Sequence, residues 1–463
     1  MHRYVSTVIL CLIATVSTAS EVPPLEVPVG QMIEGIACAH DPSQTYTLYL
    51  PSTFTNDRRW PLILVFDARG RSRLGAELFR QAAERYGWII VSSDNTRSDG
   101  PWDPNVRAIQ ALWPEVHYRL PTDFDRIYAA GFSGGAAVAT LLAKTTGEVA
   151  GIVACGGRLF ENQFEDSDVA VFSTAGTTDF NFLEMHQLDD FLEERGNPHR
   201  LAIFEGDHSW MPPSMAQVVV GWFELLAMKK GVRDRDPEII RALYEEELAG
   251  ARSLIAQGRA VEAVRGIRET ERTYEGLYDV SEAKAIADGI ETTDQYERQF
   301  KKTRRIQDFE MRCLQRRNVE LTKLRNSDVP PPTRKLAGDL YLKDLKRDAL
   351  RSDDEGMAAQ RCLNSLYAAL AYYFPLSELP KRKYPQVATS YELALMIRDD
   401  SPVVWYNLGC VRVQLGRESL AVEALARALD LGFDRYEMMR TDPDFEALRK
   451  RKDFRLLLAS IAD

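Results

Sequence analysis

The feature that most constrains this chain is the pentapeptide Gly131-Phe132-Ser133-Gly134-Gly135. A short apolar run before it, Arg126 to Ala130, is typical of a buried strand, and the small residues from Gly134 to Lys144 predict a helix. G-x-S-x-G between a strand and a helix is the pattern of a nucleophile elbow, a strained turn that lifts the serine hydroxyl above the sheet. Glycine on either side removes side chains that would clash in such a turn. The sequence therefore predicts that Ser133 is a nucleophile; the alternative is a glycine-rich turn that only begins a helix.

The residues around this turn alternate between strand and helix patterns as far as about residue 230. Continuous apolar or alternating runs predict strands at 44–50, 61–67, 88–92, 149–154, 169–175 and 200–205. Helical spacing of apolar residues predicts helices at 74–86, 103–118, 182–194 and 214–229. Such alternation indicates a mainly parallel sheet with helices on both faces. In sheets of this kind, active residues gather at the carboxyl ends of the strands.

A serine nucleophile needs a base to accept its proton and a carboxylate to orient that base. The chain has six histidines, and only His208 lies in a loop after the last predicted strand. The others fall in the N-terminal segment, before the first predicted strand, in predicted helices or at the start of a strand. Asp179 follows the preceding strand and is the predicted orienting carboxylate, with the N-cap of the next helix as the alternative role. The order Ser, Asp, His is the one expected of α/β-hydrolases.

Two further groups of residues are candidates for the substrate site. An oxyanion hole needs two backbone N–H groups, and Gly134, directly after the nucleophile, should supply one. The second should come from the loop after the strand at 61–67, where Arg69 is the first choice and Ala68 the rival. Trp102 and Trp210 lie near predicted strand ends and could line a substrate cleft, the alternative being that they only decorate loops.

Five segments in order resemble a known family. They are YTLYLP, PLILVFDARG, DRIYAAGFSGGAAVA, AGTTDFNF and GDHSW, and they fall within residues 35–230. This part of the chain resembles secreted bacterial α/β-hydrolase esterases of the dienelactone hydrolase, carboxylesterase and polyhydroxybutyrate-depolymerase kind. The resemblance implies that Ser133 is the nucleophile, His208 the general base and acid and Asp179 its orienter, with small-molecule or polymeric esters as substrates.

One segment departs from that family's pattern. Many such enzymes have His-Gly-Gly where this chain has Asp67-Ala68-Arg69. Any residue except proline can supply a backbone N–H, so the oxyanion hole can survive this change. The acidic and basic side chains would nevertheless alter the pocket.

The second half of the chain reads as helix after helix from residue 237 to the end. Pro402 to Leu431 resembles a tetratricopeptide repeat, a unit of two packed helices. The matching residues are Trp405, Leu408, Gly409, Gly416, Ala421, Leu425 and Ala428, with a fainter copy at Ala251, Leu254, Gly258 and Ala263. Repeats of this kind stack into binding surfaces. Residues 237–463 are therefore predicted to bind a protein or peptide, or alternatively to cover or orient the hydrolase part.

The N-terminus has the pattern of a secretory signal peptide. A short basic start precedes the apolar run from Val5 to Val16, which is too short to span a bilayer, and small residues follow up to Ser20. The prediction is an exported protein, periplasmic or secreted, without stable membrane insertion. Its predicted parts are the signal peptide at 1–20, an α/β-hydrolase domain at 21–231 and an all-helical tetratricopeptide-like domain at 232–463.

Composition narrows the remaining function classes. A net charge of −10 argues against nucleic acid as a partner. No metal-binding or phosphate-binding motif is present, so no cofactor is predicted. The five cysteines that remain after Cys11 are too few and too scattered for a disulfide framework. The sequence thus favours a serine hydrolase, most simply an esterase; a serine peptidase of the same fold and a non-catalytic binding protein remain as alternatives.

Overall fold

A computed structural model describes residues 25–98, 100–157 and 168–461. The predicted signal peptide and Cys11 lie outside the described residues. The chain divides into two compact units, one ending at Lys302 and the other beginning at Thr303. The predicted domain boundary at 231/232 falls within the first unit, after the last strand and the helix that follows it. This boundary and the one at 20/21 stay predictions.

The first unit contains an eight-stranded sheet. Its strands are β1 (Met32–Ala37), β2 (Thr45–Tyr49), β3 (Trp60–Phe66), β4 (Ile89–Ser93), β5 (Thr122–Phe132), β6 (Val149–Cys155), β7 (Ala170–Gly176) and β8 (His199–Phe204). The order across the sheet is β1-β2-β4-β3-β5-β6-β7-β8. The β2 strand runs antiparallel to β1 and β4, and every other neighbouring pair is parallel.

The apolar character of the central strands follows from burial on both faces. All seven residues of β3 are buried. Successive side chains of a strand point to opposite faces, so Leu62 and Leu64 join the core on one side of the sheet. Ile63 and Val65 join the core on the other side. A strand between two hydrophobic layers therefore needs the continuous apolar run that the sequence shows.

Helices cover both layers of this core. They are α1 (Ser72–Tyr86), α2 (Asp103–Tyr118), α3 (Gly134–Thr146), α4 (Phe182–Arg195) and α5 (Pro213–Lys230). The predicted fold class, a mainly parallel α/β-hydrolase sheet followed by helices, is confirmed. The β1 strand escapes prediction from the sequence, because its side chains are half-buried or exposed and show no clear alternation. His40 consequently lies between β1 and β2, not before the first strand.

Three helices of the first unit follow the sheet. They are α6 (Pro237–Ala256), α7 (Ala260–Tyr274) and α8 (Ser281–Glu291). Their apolar faces share a core with α5, in which Leu225 and Met228 pack with Ile240, Leu248 and Ile267. These helices are thus part of the same hydrophobic unit as the sheet. The long α9 helix (Asp294–Asn326) contains the division between the units.

The second unit is helical among its described residues. Its α-helices are α10 (Thr333–Asp339), α11 (Leu342–Asp348), α12 (Asp354–Ala368), α13 (Phe374–Glu378), α14 (Tyr384–Ile397), α15 (Pro402–Gln414), α16 (Glu418–Asp430), α17 (Tyr436–Thr441) and α18 (Lys452–Ala459). In the α15–α16 hairpin, a Cβ on Gly409 would lie 2.8 Å from the Leu425 side chain, so the small residue permits the close packing that the sequence predicts. The tetratricopeptide assignment itself stays a prediction. Within the described ranges, no helix is both long and apolar enough to cross a membrane.

Candidate active site

The predicted nucleophile lies in a strained turn between β5 and α3. Ser133 has φ 53° and ψ −121°, a conformation that side-chain-bearing residues rarely adopt. A Cβ on Gly131 would lie 2.1 Å from the carbonyl of Gly135, and a Cβ on Gly135 would lie 1.9 Å from the carbonyl oxygen of Phe66. The tight crossing of β5, α3 and the end of β3 therefore requires both glycines. The turn has the form that the G-x-S-x-G pattern predicts.

The structure brings the three predicted triad residues together. His208 Nε2 lies 3.0 Å from Ser133 Oγ, and His208 Nδ1 lies 2.9 Å from Asp179 Oδ1. When the neutral ring carries its hydrogen on Nδ1, that nitrogen donates to the Asp179 carboxylate. The unprotonated Nε2 is then free to accept the serine hydroxyl. One continuous hydrogen-bond chain joins the three side chains.

The predicted orienting carboxylate is fully buried in the loop after β7. Asp179 is 0% exposed, and its Oδ1 also accepts from the Asn181 N–H at 2.8 Å. The N-cap position of the following α4 helix belongs to Asn181, so Asp179 does not occupy the alternative role considered for it. Its carboxylate is directed instead at the imidazole.

The loop that carries Asp179 is fastened to the loop that carries His208. The N–H and the hydroxyl of Thr178 both donate to the carbonyl of Gly206, at 2.9 and 3.0 Å. A Cβ on Gly176 would lie 2.3 Å from the carbonyl of Asp207, so the loops are in direct backbone contact. This fastening fixes the separation between the carboxylate and the imidazole.

Aromatic rings surround the imidazole. The rings of Phe180 and Phe132 have centroids 4.0 and 4.8 Å from that of His208. Trp210 packs in turn on Phe132, with a centroid separation of 5.5 Å. Apolar surroundings limit the access of water and strengthen the electrostatic interaction between His208 and Asp179.

The predicted second donor of the oxyanion hole is already engaged. The Arg69 N–H donates to Asp67 Oδ1 at 2.8 Å, and the Gly70 N–H donates to the Asp67 carbonyl at 3.1 Å. The Arg71 N–H also turns toward Asp67 Oδ1, at 3.3 Å. Ala68, the rival candidate, is the residue of this loop whose N–H is not used in these contacts. The geometry therefore favours Ala68 over Arg69, while Gly134 stands at the first position of α3, where N–H groups lack helical partners.

The chain is similar to known proteins in part of its sequence and in part of its structure. No family model matches it. A 79-residue segment is 34% identical to a chloroplastic protein of Arabidopsis thaliana; it covers 16% of this chain, which spans about a quarter (24%) of that protein's length. Among solved structures, an esterase of the archaeon Pyrobaculum calidifontis is similar at 15% identity, covering 43% of this chain and 87% of its own, with a TM-score of 0.35.

Two other similar structures are also named as hydrolases. FphF, a fluorophosphonate-binding serine hydrolase of Staphylococcus aureus, shares 15% identity over 42% of this chain and 99% of its own, with a TM-score of 0.34. Esterase 2 of Thermogutta terrifontis, phosphorylated by paraoxon, shares 14% identity over 46% of this chain and 98% of its own, with a TM-score of 0.35.

The two predicted cleft tryptophans have different positions. Trp210 packs on Phe132, whose ring contacts the imidazole, and its Nε1 donates to Asp67 Oδ2 at 2.8 Å. Its role in substrate binding stays a prediction. Trp102 lies directly before α2 and is 38% exposed. No contact joins it to the triad in the described part of the chain, so its role in substrate binding stays a prediction.

Sequence reasoning misses two residues that shape the site. Gly156 follows β6 with φ 52°, and a Cβ there would lie 2.6 Å from Asp179 Oδ2 and 3.2 Å from His208 Nδ1. The Gly156-Gly157 pair after a predicted strand is a signal that could have indicated a close approach. The other residue is Asp67, which the sequence marks as a departure from the family pattern but not as a hydrogen-bonding centre.

One grouping of metal-ligand side chains occurs in the described ranges, far from these residues in sequence. Cys410, Asp442 and Asp444 have ligand atoms within 4.8 Å of one another. Both carboxylates already accept hydrogen bonds, from the Tyr406 hydroxyl at 2.6 Å and from Gln414 Nε2 at 2.9 Å. Hydrogen bonds within the protein therefore already hold both carboxylates of this cluster.

Proposed function

We propose that this protein is a serine hydrolase that cleaves carboxylic esters through an acyl-enzyme. The observation that carries the proposal is the hydrogen-bond chain from Ser133 through His208 to Asp179, with both links at 3.0 Å or less. A serine hydroxyl is a weak nucleophile, and an adjacent base oriented by a buried carboxylate is the arrangement that activates it.

The first half of the reaction forms the acyl-enzyme. Ser133 Oγ attacks the ester carbonyl carbon while its proton passes to His208 Nε2. The resulting imidazolium is stabilised by the Asp179 carboxylate at Nδ1. His208 then gives the proton to the departing alcohol oxygen, and the carbon–oxygen bond to the alcohol breaks.

The second half releases the acid. His208 accepts a proton from a water molecule, which attacks the acyl carbon, and the proton returns to Ser133 Oγ as the acyl bond breaks. In both halves a negative charge develops on the carbonyl oxygen. We infer that the N–H groups of Gly134 and Ala68 stabilise this charge, because donors fixed in place before the reaction need no reorganisation.

A peptidase of the same fold would use the same acyl-enzyme chemistry and remains the second candidate. No contact in the described part of the site distinguishes the two, and an ester has the better leaving group. Export through the N-terminal segment, and binding of a protein or peptide by residues 237–463, are further parts of the proposal and rest on the sequence patterns alone.

Turnover of a panel of p-nitrophenyl esters and matched anilides would test the function. Ester hydrolysis should exceed anilide hydrolysis.

Ser133→Ala should lower kcat by about 10⁶-fold. Asp179→Asn should lower it by about 10⁴-fold, because the amide favours the wrong imidazole tautomer. Unchanged turnover in Asp179→Asn would refute that residue's role, and equal turnover of anilides would favour the peptidase.

A further inference from the structure

The Asp67 carboxylate is the centre of a hydrogen-bond network at the end of β3. It is 0% exposed. Its Oδ1 accepts from the Arg69 N–H at 2.8 Å and from Arg71 Nε at 3.0 Å. Its Oδ2 accepts from Arg71 Nη2 at 2.8 Å and from Trp210 Nε1 at 2.8 Å. Both oxygens are thus occupied by N–H donors from two different loops.

The charge of this buried group is compensated, so the carboxylate stays ionised. Burial alone would raise the pKa of Asp67, but the hydrogen bonds from Arg71, Trp210 and the Arg69 N–H outweigh it and hold the pKa below its usual value. Arg71 reaches solvent, with 44% of its side chain exposed, and forms a two-point ion pair with the buried oxygens.

The two loops that meet at Asp67 contain a candidate oxyanion donor and the proposed general base. One loop follows β3 and contains Ala68, the candidate oxyanion donor. The other contains His208 and, two residues later, Trp210. Trp210 packs on Phe132, whose ring lies 4.8 Å from the imidazole. A single carboxylate therefore fixes the oxyanion loop by its backbone and the imidazole through a tryptophan.

We propose that Asp67 is a positioning residue that holds the oxyanion loop and the His208 loop in register for catalysis. This inference rests on the proposed serine hydrolase function. It gives a role to the acidic residue that stands where many similar esterases have histidine. Misplacement of a reacting group by about 1 Å can cost about 10²-fold in rate, so loss of this register should be visible in turnover.

Asp67→Asn is the sharpest variant because it keeps the shape and changes the hydrogen bonding. An amide has one acceptor oxygen and one NH₂ donor. If the NH₂ group took the place of Oδ1, it would face the N–H donors of Arg69 and Arg71. If it took the place of Oδ2, it would face those of Arg71 and Trp210. We expect kcat per active site to fall by about 10- to 100-fold, with KM changed by less than about threefold. Active sites are counted by titration, so that a loss of folded protein does not enter the value.

Trp210→Phe is the second variant, because it keeps an aromatic ring on Phe132 while it removes the indole N–H and one of the two fused rings. If Trp210 acts through Asp67, its effect on kcat should disappear in the Asp67→Asn background, as expected for residues in one network. Arg73→Gln is the matched control, because Arg73 lies two residues after Arg71 and forms an exposed ion pair with Glu34. The kcat of this variant should equal that of the wild type.

A spectroscopic readout tests the link without relying on activity. The chain has 7 tryptophans and 6 histidines, few enough for selective ¹⁵N labelling and assignment by substitution. Asp67→Asn and Trp210→Phe should both shift the His208 ring resonances, and Asp67→Asn should shift the Trp210 indole N–H; Arg73→Gln should shift neither.

The two readouts separate the inference from the proposed function. A wild-type protein that hydrolyses no ester and no anilide would contradict the function, and the His208 resonances would still decide whether Asp67 positions the imidazole. Unmoved His208 resonances in both variants, or a kcat within twofold of wild type in Asp67→Asn, would overturn the proposal.

Discussion

At the scale of single residues, glycines leave the space that the side chains of the predicted triad occupy. Gly156 is the clearest case, because it touches the histidine–carboxylate pair and also has a positive φ. A Cβ added there would lie 2.6 Å from Asp179 Oδ2 and 3.2 Å from His208 Nδ1. The separation between His208 and Asp179 therefore depends on the absence of a methyl group.

Gly156→Ala should impair catalysis more than stability. The new Cβ must push against the Asp179–His208 pair, and we expect kcat to fall by about 10²-fold. The positive φ should also cost about 1–2 kcal/mol of unfolding free energy. Ester turnover normalised to titrated active sites measures the first effect, and urea unfolding measures the second.

Gly147→Ala is the matched control for this variant. Gly147 has φ 69° and no neighbour within 4 Å of the position that an added methyl group would take, and it ends α3 away from the triad. It should lose a similar unfolding free energy and keep the wild-type kcat. Equal losses of kcat in the two variants would contradict the steric account of Gly156.

The sequence points to the candidate catalytic residues, whereas it does not point to the residues that support them. A motif with few alternatives indicates Ser133, and the place after the last strand indicates His208. The sequence favours Arg69 over Ala68, whereas the geometry favours Ala68, because a sequence does not show where a backbone N–H points. The engagement of Arg69 depends on the Asp67 side chain folding back onto its own loop, which only the structure reveals.

At the scale of elements, the site depends on the crossing of β3, β5 and α3. The first turn of α3 passes so close to the end of β3 that Gly135 contacts the Phe66 carbonyl. This contact brings the N–H groups at the start of α3 next to the loop that contains Ala68. The proposed oxyanion site would therefore be formed by two separate segments of the chain.

Gly135→Ala should disrupt this crossing. Its Cβ would lie 1.9 Å from a backbone oxygen that has no rotamer to change. We expect a loss of about 3 kcal/mol or more in unfolding free energy, at the upper end of overpacking effects. Urea unfolding with linear extrapolation would measure it.

Gly250→Ala supplies the contrast at another helical glycine. Gly250 lies in α6, exposed, with nothing within 4 Å of an added Cβ. Alanine should therefore raise the unfolding free energy by about 0.5–1 kcal/mol. If Gly135→Ala were as stable as the wild type, the described crossing would be wrong.

Elements buried on both faces are predictable from the sequence, and an edge element is not. The continuous apolar runs of β3 and β6 leave little choice, since only burial on both sides explains them. The β1 strand has half-exposed side chains and a register shift between Ile33 and Ile36, so it lacks the alternation that identifies a strand.

At the scale of the molecule, a buried charge cluster joins the sheet to the helices of the first unit. Arg200 of β8 reaches Glu247 of α6 at 2.7 Å and Glu269 of α7 at 3.4 Å. Burial raises the pKa of Glu269 to about 7, with Asp189 adding to the shift and Arg200 opposing it. The cluster should therefore make the stability of this unit depend on pH.

The sign of that dependence follows from the raised pKa. The unfolded chain releases the Glu269 proton near 4.5, and the folded protein keeps it until about 7. Its contribution to stability is present below pH 4.5 and is lost as the pH rises through this window. Asp189 shifts in the same direction, also because of burial. Glu269→Gln should flatten the fall of Tm between pH 4.5 and 7.

Glu262→Gln is the control on the same helix. Glu262 and its ion-pair partner Arg259 each have about half of their side chain exposed, so this pair is not part of the buried cluster. It should leave the pH profile of Tm unchanged. A Glu269→Gln profile that parallels the wild type would show that this carboxyl group does not govern the dependence.

Labelling by a fluorophosphonate probe would show directly whether Ser133 is an activated nucleophile. The purified protein and its Ser133→Ala variant would be treated alike, and the modified peptide would be identified by mass spectrometry. We expect modification of Ser133 in the wild type, slower modification in His208→Ala, and no labelling in Ser133→Ala. An unlabelled Ser133 in protein shown to be folded would contradict the proposal that this serine is an activated nucleophile.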